Sequence, residues 1–263
     1  MTQKNDIETL TKIALNAALE AGKSILDVYY NLNFDIEIKP DKSPLTIADK
    51  RAHNIITDFL KQTKIPVLSE EGKSIDFNER KEWEMFWLVD PLDGTKEFIK
   101  RNGEFTVNIA LIKNCSPIAG VVYVPVSKEM YYANCNGSFK CDFDEESNSL
   151  KNIQKLPLKG EKEFFVIAGS KSHMNAETET FIQKLDTYGK PVKMISKGSS
   201  LKICMAAAGE VDVYPRLAPT MEWDTAAAHA IVKFAGKNIF QFDSNMQVVY
   251  NKENQLNPWF VVK

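Results

Sequence analysis

Two aspartates on one short turn are the residues of this 263-residue chain that are best suited to chemistry. An apolar run over residues 86–89 leads directly into Asp90, and Asp93 follows between a proline and a glycine. Two carboxylates three positions apart on a tight turn can face a common centre, and the Leu92 carbonyl between them can add a third oxygen. Hard cations such as Mg²⁺ prefer oxygen ligands of this kind. The turn therefore predicts a site for a divalent cation.

Two further acidic clusters lie elsewhere in the chain. Glu70 and Glu71 end a second short apolar run, and their charges would repel each other unless a cation were shared between them. Asp224 lies at or just before the start of an alanine-rich helical pattern, where an aspartate commonly acts as an N-cap. Because acidic residues are usually solvated surface charges, it is the combination of the three clusters that indicates a metal site.

Taken together, these motifs resemble those of the lithium-sensitive, magnesium-dependent phosphomonoesterases. This superfamily includes inositol monophosphatase, fructose bisphosphatase and the 3′(2′),5′-bisphosphate nucleotidases. The resemblance covers nearly the whole chain and rests on Asp49, Glu70-Glu71, Asp90-Pro91-Leu92-Asp93-Gly94-Thr95 and Trp223-Asp224-Thr225-Ala226-Ala227. It implies a five-layered αβαβα fold.

Within the superfamily, the chain is most similar to the bacterial bisphosphate nucleotidase branch. That similarity rests on residues 68–71 and 87–108 and on Gly198-Ser199-Ser200-Leu201-Lys202. The inositol branch usually carries a Thr-Asn pair where this chain has Lys96-Glu97, and it usually lacks a lysine at the position of Lys202.

The resemblance implies how the acidic residues would divide the metal ions. Glu70, Asp90 and the Leu92 carbonyl would hold one Mg²⁺, and Asp90, Asp93 and Asp224 would hold a second. Two such ions typically lie roughly 3.5–4 Å apart and stabilise the attacking and leaving oxygens of an in-line displacement. A weaker third ion, held mainly by Glu70 and water, is known in the family, and Glu70 is counted among the catalytic groups as well.

The resemblance also assigns roles to Thr95 and Asp49. Thr95 would orient the attacking water, and Asp49 would accept a proton or a hydrogen bond from Thr95. The two residues lie far apart in sequence, so spacing does not pair them: Thr95 also fits a turn residue, and Asp49 fits a first-turn helix acid. Gly94 and Thr95 could in addition present backbone N–H groups to phosphate oxygens if a helix begins there.

Cationic and hydroxyl groups in the second half of the chain predict where a second phosphate of the substrate would bind. Residues 198–202 open a predicted helix, whose first N–H groups are available to an anion. The resemblance implies that the adenosine 5′-phosphate is held by His173, Ser199, Lys202 and Arg216. Each also has a simpler explanation, as a helix cap, a solvated charge or a polar loop residue. The other substrate contacts implied are Glu70, Leu92, Asp93, Gly94, Thr95 and Asp224.

The elements that must position these residues fall into two patterns. Apolar spacing predicts helices over 7–28 and 48–60 with a strand at 34–38 between them. Short apolar runs follow at 66–68, 86–89, 105–112, 118–124 and 130–133, and the Gly and Pro residues between the last few indicate an antiparallel meander. Later residues alternate between strands at 164–168, 192–195 and 211–214 and helices at 178–185, 199–208 and 224–234, and short strands near Ile239, Val248 and Phe260 close the chain. This alternation predicts an α/β layer with a mixed or parallel sheet.

Residues 142–160 are polar and poor in strand signals, which predicts a boundary between two domains. The expected organisation is α+β then α/β. An α+β domain over residues 1–150 would carry an antiparallel sheet and most of the metal ligands. An α/β domain over residues 151–263 would carry a mixed sheet, Asp224 and the nucleotide-phosphate site.

Composition argues against several classes of protein. The chain has 33 Lys and Arg against 35 Asp and Glu, which disfavours a nucleic-acid partner or an anionic membrane as the main ligand. We expect no targeting signal and no transmembrane segment, because no apolar stretch approaches the roughly 20 residues that a span needs. Four cysteines without CxxC spacing favour a reducing cytoplasm. Peripheral attachment to the inner membrane, as in some bacterial relatives, and the oligomeric state are left open.

The function that the resemblance implies is hydrolysis of the 3′-phosphate of adenosine 3′,5′-bisphosphate to AMP and phosphate. The sulfated relative 3′-phosphoadenylyl sulfate is a second candidate substrate, which would place the enzyme in sulfur metabolism, and Li⁺ is expected to inhibit by replacing one Mg²⁺. One alternative is an inositol or sugar-phosphate phosphatase, and charge reversal at Lys202 and Arg216 would discriminate, because it should damage a bisphosphate nucleotidase far more. The other is a non-catalytic metal- or nucleotide-binding protein, which the presence of Asp49 and Thr95 disfavours.

Overall fold

A computed structural model of the protein describes residues 3–30, 36–38, 44–169 and 175–263. Helices and strands alternate along the second half of the chain, as predicted, whereas the first half is dominated by strands. The helices are α1 (Gln3–Tyr30), α2 (Ile47–Lys61), α3 (Phe77–Arg80), α4 (Thr95–Ile99), α5 (Ala176–Gln183), α6 (Leu201–Ala208) and α7 (Glu222–Phe234). The strands are β1 (Ile36–Ile38), β2 (Pro44–Thr46), β3 (Val67–Ser69), β4 (Met85–Asp93), β5 (Thr106–Lys113), β6 (Ser116–Val124), β7 (Glu129–Asn134), β8 (Gly137–Asp144), β9 (Ser149–Lys155), β10 (Phe165–Ala168), β11 (Val192–Ile195), β12 (Tyr214–Arg216), β13 (Ile239–Gln241) and β14 (Phe260–Val262).

The first half of the chain builds a seven-stranded sheet in the order β3-β4-β5-β6-β7-β8-β9. Strand β3 runs parallel to β4, and every later pair is antiparallel. Helices α1 and α2 cover one face, because their apolar stripes supply fully buried residues such as Ala17, Ile25 and Ile56. The predicted meander and both predicted helices are thus confirmed.

The prediction that residues 142–160 are poor in strands was wrong. The end of β8 and all of β9 lie in this segment, and the predicted boundary between residues 150 and 151 falls inside β9. Strand β9 lies at the edge of the sheet and is exposed along most of its length, so its sequence shows no apolar alternation.

The other face of this sheet is covered by α6 and α7 from the second half of the chain, so one core is built from both halves. Ala110, Gly120 and Ala133 are paired across β5, β6 and β7 and form a row of small residues. Helix α7 lies directly on this row: a Cβ added to Gly120 would lie 2.3 Å from the Ala227 carbonyl oxygen and 2.8 Å from the Ala230 Cβ. The helix therefore rests on the sheet almost backbone to backbone, which requires glycine at position 120.

The second half forms a smaller mixed sheet beyond α6 and α7. Strands β10 and β11 are parallel, β12, β14 and β13 are antiparallel, and a bridge between Ile167 and Val213 joins the two groups. Phe181 and Ile182 of α5 pack against this sheet on its outer side. Helices, sheet, helices, sheet and helix give the five αβαβα layers that were predicted.

A few predicted elements differ in detail. The strand expected near Val248 is reduced to a bridge between Phe240 and Gln247. The strand expected at 34–38 is described only as β1, because Phe34 lies outside the described residues. All four cysteines are free thiols. In the described part of the chain, no helix combines the length and apolarity that crossing a bilayer demands.

Candidate active site

Strand β4 delivers Asp90 and Asp93 to one edge of the large sheet. Asp90 is paired with Asn108 and Asp93 with Thr106 of β5, so β4 contains one extra residue and bulges between the two aspartates. A bulge bends the strand and redirects its side chains. The backbone N–H of Leu92 donates to Asp90 Oδ1 over 3.1 Å, which fixes the turn that the sequence predicted.

Glu70 lies beside Asp90 at the same edge. Strand β3 is parallel to β4, with Ser69 paired to Val89, and the N–H of Glu70 donates to the Val89 carbonyl over 3.1 Å. Parallel neighbours end at the same edge of a sheet, so the residues that follow each strand meet there. The Glu70 and Asp90 clusters, predicted separately, are therefore adjacent.

Two helix starts bring in the remaining carboxylates. Asp49 lies in the first turn of α2 and is 1% exposed. Asp224 is the third residue of α7, and its Oδ2 accepts the N–H of Met221 over 2.9 Å, so it caps the helix from within the first turn. Both positions favour a negative charge, because helix N-termini carry unpaired N–H groups.

The five carboxylates act strongly on one another. Burial raises the pKa of Asp90 well above its usual range, and so do the charges of four neighbours: Glu70, Asp93, Asp224 and Asp49. Burial raises the pKa of Asp224 to about 8, with the charge of Asp93 as the next cause. A group of buried acids that oppose each other's ionisation is stabilised by a bound cation. The predicted metal ligands are thus brought within mutual electrostatic reach.

Among the described residues, no three acidic, histidine or cysteine side chains already converge into a complete ligand set. Asp93 and Asp224 each direct one oxygen to a backbone N–H, at Ser200 and Met221 respectively. Mutual repulsion acts in the same direction, because it favours carboxylates that point apart when no cation lies between them. The donor set is entirely oxygen, which suits Mg²⁺ rather than a softer metal.

Asp93 is held by the second half of the chain. Its Oδ2 accepts hydrogen bonds from Ser199 Oγ over 2.5 Å, from the Ser200 N–H over 2.7 Å and from Asn108 Nδ2 over 3.3 Å. Burial raises the pKa of Asp93, and these hydrogen bonds together with the charge of Lys202 oppose that rise. Ser199 was predicted to bind phosphate, but in this structure its hydroxyl anchors a carboxylate of the metal cluster instead.

Two polar residues on β5 complete this anchor. Thr106 Oγ1 lies 2.5 Å from Ser199 Oγ and 3.0 Å from Ser200 Oγ, and Ser200 Oγ also donates to Asn108 Oδ1 over 3.0 Å. Thr106 and Asn108 are completely buried. Sequence reasoning missed both, although two polar residues at alternate positions of an otherwise apolar strand are a usable signal, because they lie on one face of the strand.

A cleft of about 620 Å³ opens beside the carboxylates. Residues from both halves line it, and those that matter here are Asp93, Gly94, Lys202, Arg216 and Asp224. Two predicted metal ligands and two predicted phosphate-binding cations therefore share one cavity.

Lys202 is the best-defined cation of this cleft. Its Nζ donates to the Ser199 carbonyl over 3.2 Å and to the Lys197 carbonyl, and it lies 5.5 Å from the centre of the Tyr214 ring. Burial lowers the pKa of Lys202 to about 8, although the charge of Asp93 opposes this. In the described part of the chain, no carboxylate lies within 4.0 Å of its ammonium group. A buried ammonium without an ion-pair partner is suited to an anionic ligand.

Arg216 contributes a second cation to the cleft. One of its terminal nitrogens donates to the Pro219 carbonyl over 3.3 Å, whereas its buried Nε has no hydrogen-bond partner among the described residues. The fourth residue predicted to bind the 5′-phosphate, His173, lies outside the described residues.

The turn after Asp93 leads into α4, whose first residue is Thr95. Gly94 caps this helix with φ 93°, a conformation that favours glycine, and a Cβ there would lie 3.2 Å from Glu97 Oε2. Thr95 is partly exposed at the mouth of the turn. The pairing of Thr95 with Asp49 stays a prediction.

Comparisons with known proteins place this arrangement in a family. Residues 6–258 match the Inositol monophosphatase family. The 3′(2′),5′-bisphosphate nucleotidase CysQ of Escherichia coli O6:H1 is 44% identical over 248 residues, which cover 93% of this chain and 96% of that protein.

Two solved structures have the same fold. The crystal structure of CysQ from Bacteroides thetaiotaomicron, a bacterial member of the inositol monophosphatase family, superposes with a TM-score of 0.86 at 48% identity and covers 97% of both chains. The extragenic suppressor protein suhB from Bartonella henselae superposes with a TM-score of 0.73 at 22% identity, covering 97% of this chain and 93% of its own, and it shows the fold alone. With its five layers and its match over residues 6–258, the chain belongs to the inositol monophosphatase family.

Proposed function

We propose that this chain is a Mg²⁺-dependent phosphomonoesterase that removes the 3′-phosphate of adenosine 3′,5′-bisphosphate and releases AMP and phosphate. The observation that carries the proposal is the cleft in which Asp93 and Asp224 lie together with the cations Lys202 and Arg216, while the charges of these two acids act on the buried Asp90. The Escherichia coli relative described above is named a 3′(2′),5′-bisphosphate nucleotidase, and its match covers 93% of this chain.

The acidic residues at the C-terminal ends of β3 and β4, together with Asp224, are suited to binding divalent cations. Glu70, Asp90 and the Leu92 carbonyl would hold one Mg²⁺, and Asp90, Asp93 and Asp224 would hold a second. When bound, the ions supply positive charge that offsets the phosphate and the buried acids and makes water more acidic. A third ion held by Glu70 belongs to the same proposal, and binding titrations would establish the number.

The remaining roles fall to groups of this chain. Thr95, at the first position of α4, orients the attacking water. Asp49 accepts a proton or a hydrogen bond from Thr95. Ser199 and Ser200 hold Asp93 in place through its Oδ2. This division leaves the other oxygen of Asp93 for the metal cluster.

Substrate choice depends on the cationic side of the cleft. Lys202 and Arg216 carry N–H groups that can donate hydrogen bonds to phosphate oxygens. His173 is included among the phosphate-binding residues by resemblance alone. A nucleotide with a second phosphate therefore gains charge-assisted hydrogen bonds that a monophosphate lacks. The sulfate of 3′-phosphoadenylyl sulfate would use the same groups, which makes that nucleotide a further substrate.

Phosphate release with Mg²⁺ from a short substrate panel tests the proposal. The panel contains adenosine 3′,5′-bisphosphate, adenosine 2′-monophosphate, inositol 1-phosphate and fructose 1,6-bisphosphate. We expect a strong preference for the adenosine bisphosphate, loss of activity in Asp90→Asn, and inhibition by millimolar Li⁺. A preference for inositol 1-phosphate would support the alternative of an inositol phosphatase and remove the role of Lys202. No release from any compound would refute catalysis.

A further inference from the structure

A buried acid near Asp224 has no part in the proposed reaction. Glu222 begins α7 and is 0% exposed. Its carboxylate accepts hydrogen bonds from the Asn251 N–H over 2.8 Å, from the Lys252 N–H over 3.0 Å and from Lys252 Nζ over 2.5 Å. A buried carboxylate needs such partners, and here all of them come from one loop near the C-terminus.

This loop encloses the first turn of α7 from several directions. The N–H of Glu222 donates to the Gln255 carbonyl over 2.9 Å, and Asn257 Nδ2 donates to the Met221 carbonyl over 2.7 Å. Met221 in turn donates to Asp224. The first turn of α7 therefore has Glu222 bonded to the loop while Asp224 lines the cleft, two residues apart on one rigid element.

The same loop is tied to α3, which follows Glu70 along the chain. Arg80 is 3% exposed and donates to Asn251 Oδ1 and to the Glu253 carbonyl, both over 2.9 Å, while Asn251 Nδ2 donates back to the Arg80 carbonyl over 2.7 Å. Arg80 is the last residue of α3, the first helix after Glu70. A continuous buried network thus runs from the segment after Glu70, through Asn251 and Glu222, to the turn that carries Asp224.

A purely stabilising role does not account for these charges. Buried ion pairs contribute little net stability compared with apolar residues of similar volume, because both charges must leave water. They do fix a geometry, since removing one partner leaves the other unsatisfied. The geometry fixed here is the separation of two segments that approach the carboxylate cluster from different parts of the sequence.

We infer that Glu222 is a positioning residue for the metal site: through Asn251 and Arg80 it sets the separation of Glu70 and Asp224. This inference rests on the proposed function, in which Glu70 and Asp224 are metal ligands. Groups that orient metal ligands typically change metal affinity or activity by about 10- to 100-fold when they are altered. The affinity for Mg²⁺, rather than the reaction of bound substrate, is the quantity that Glu222 controls.

The test is calorimetric titration of the substrate-free protein with Mg²⁺, with phosphate release measured separately. Glu222→Gln keeps the shape of the side chain but turns at least one acceptor into a donor. We expect its Kd for Mg²⁺ to rise about tenfold or more, whereas kcat at saturating Mg²⁺ stays within about threefold of wild type. A Kd equal to that of wild type would overturn the inference, even if the melting temperature fell.

Asp212→Asn is the matched control. The Asp212 carboxylate also accepts hydrogen bonds from a lysine, Lys162 over 2.5 Å, and from a backbone N–H, that of Val166 over 2.7 Å; among the described residues, it has no hydrogen bond to α7 or to Glu70. It should lower the melting temperature without changing the Kd for Mg²⁺. A rise in Kd equal to that of Glu222→Gln would mean that general loosening is responsible and would overturn the inference.

A second variant decides the matter if Glu222→Gln does not fold. Asn251→Ala removes the amide link to Arg80 but keeps the backbone N–H that donates to Glu222. It should raise the Kd for Mg²⁺ about threefold or more, and an unchanged Kd would overturn the inference.

Wild-type protein that binds Mg²⁺ but hydrolyses no nucleotide would refute the proposed function alone, because the Kd comparison still decides the role of Glu222. Wild-type protein that binds no Mg²⁺ would refute both.

Discussion

Lys202→Met should make the protein more stable and at the same time a poorer enzyme. Methionine keeps the length of the stem and removes the ammonium group. In the folded protein, burial lowers the pKa of Lys202 from 10.5 to about 8, so its charged form at pH 7 carries a free-energy penalty of about 3 kcal/mol relative to the unfolded chain. Loss of its hydrogen bonds to the Ser199 and Lys197 carbonyls offsets part of the gain. We therefore expect the free energy of unfolding at pH 7 to rise by about 1–3 kcal/mol.

The sign of this effect changes with pH in a defined way. Because the folded-state pKa is lowered, the penalty is fully present below pH 8 and disappears as the pH rises through 10.5, where the unfolded chain also loses the proton. Urea denaturation in the presence of EDTA measures the free energy of unfolding at pH 7, where the penalty is fully present, and at alkaline pH, where it disappears. The difference between wild type and Lys202→Met should shrink toward the alkaline limit.

Activity should change in the opposite direction, and only for substrates with a second phosphate. A hydrogen bond to a charged group contributes about 1.5–3 kcal/mol, so kcat/KM for adenosine 3′,5′-bisphosphate should fall about 10- to 100-fold. Adenosine 3′-monophosphate, which lacks the 5′-phosphate, should be hydrolysed nearly as well by the variant as by the wild type. The ratio of the two kcat/KM values isolates the interaction, as in a double-mutant cycle.

A matched control is available at Lys237. This lysine also has a pKa lowered by burial and donates to two backbone carbonyls, Val211 over 3.0 Å and Asp212 over 2.9 Å, but it does not line the cleft. Lys237→Met should leave kcat/KM for both nucleotides unchanged. Equal losses on the two substrates in Lys202→Met, or a decrease in its stability at pH 7, would refute the reasoning.

Three further predictions follow from buried groups. Asp49→Asn should lower kcat by orders of magnitude with little change in Mg²⁺ affinity, measured by steady-state kinetics and calorimetry; near-normal turnover would remove Asp49 from the mechanism. Burial lowers the pKa of His229 to about 4, so lowering the pH from 7.5 to 5 should reduce the free energy of unfolding by about 2 kcal/mol. His229→Gln should not show this loss in urea denaturation. If the free energy of unfolding depended on pH equally in both proteins, the prediction would be contradicted. Gly120→Ala should destabilise the fold by about 1–3 kcal/mol, because its Cβ would overlap the Ala227 carbonyl, and an unchanged melting temperature would show that α7 can move away.

The elements with one buried face were predictable from the sequence. Helices α1 and α2 pack one stripe on the large sheet, and their apolar residues recur at helical spacing. Strand β9 was missed for the complementary reason: at an exposed edge, Leu150 and Ile153 are too few to show an alternation. The spacing of apolar residues reflects which side chains are buried, so a strand or helix with few buried side chains shows no clear spacing.

The candidate site was predictable where its residues are contiguous. The Asp90–Thr95 motif carries two carboxylates and a turn in one stretch of chain, and resemblance extended it to Glu70 and Asp224. The anchor on Asp93 was not predictable, because Ser199 approaches it from the other half of the chain. The role of Glu222 was not predicted, because nothing in the neighbouring sequence distinguishes a carboxylate that is bonded to a loop from one that faces water.

The close contact between α7 and the row of small residues under it bears on which ions the protein can distinguish. At Gly120 no side chain separates β6 from the Ala227 backbone, so no rotamer change at this point can let α7 shift. We therefore expect α7, which carries Asp224, to keep its position relative to the strand that carries Asp90 and Asp93. Mg²⁺ takes oxygens at about 2.0–2.1 Å, whereas Ca²⁺ requires about 2.3–2.6 Å and more ligands. If this frame resists expansion, we expect the site to favour the smaller ion, with the glycine in β6 contributing to that preference.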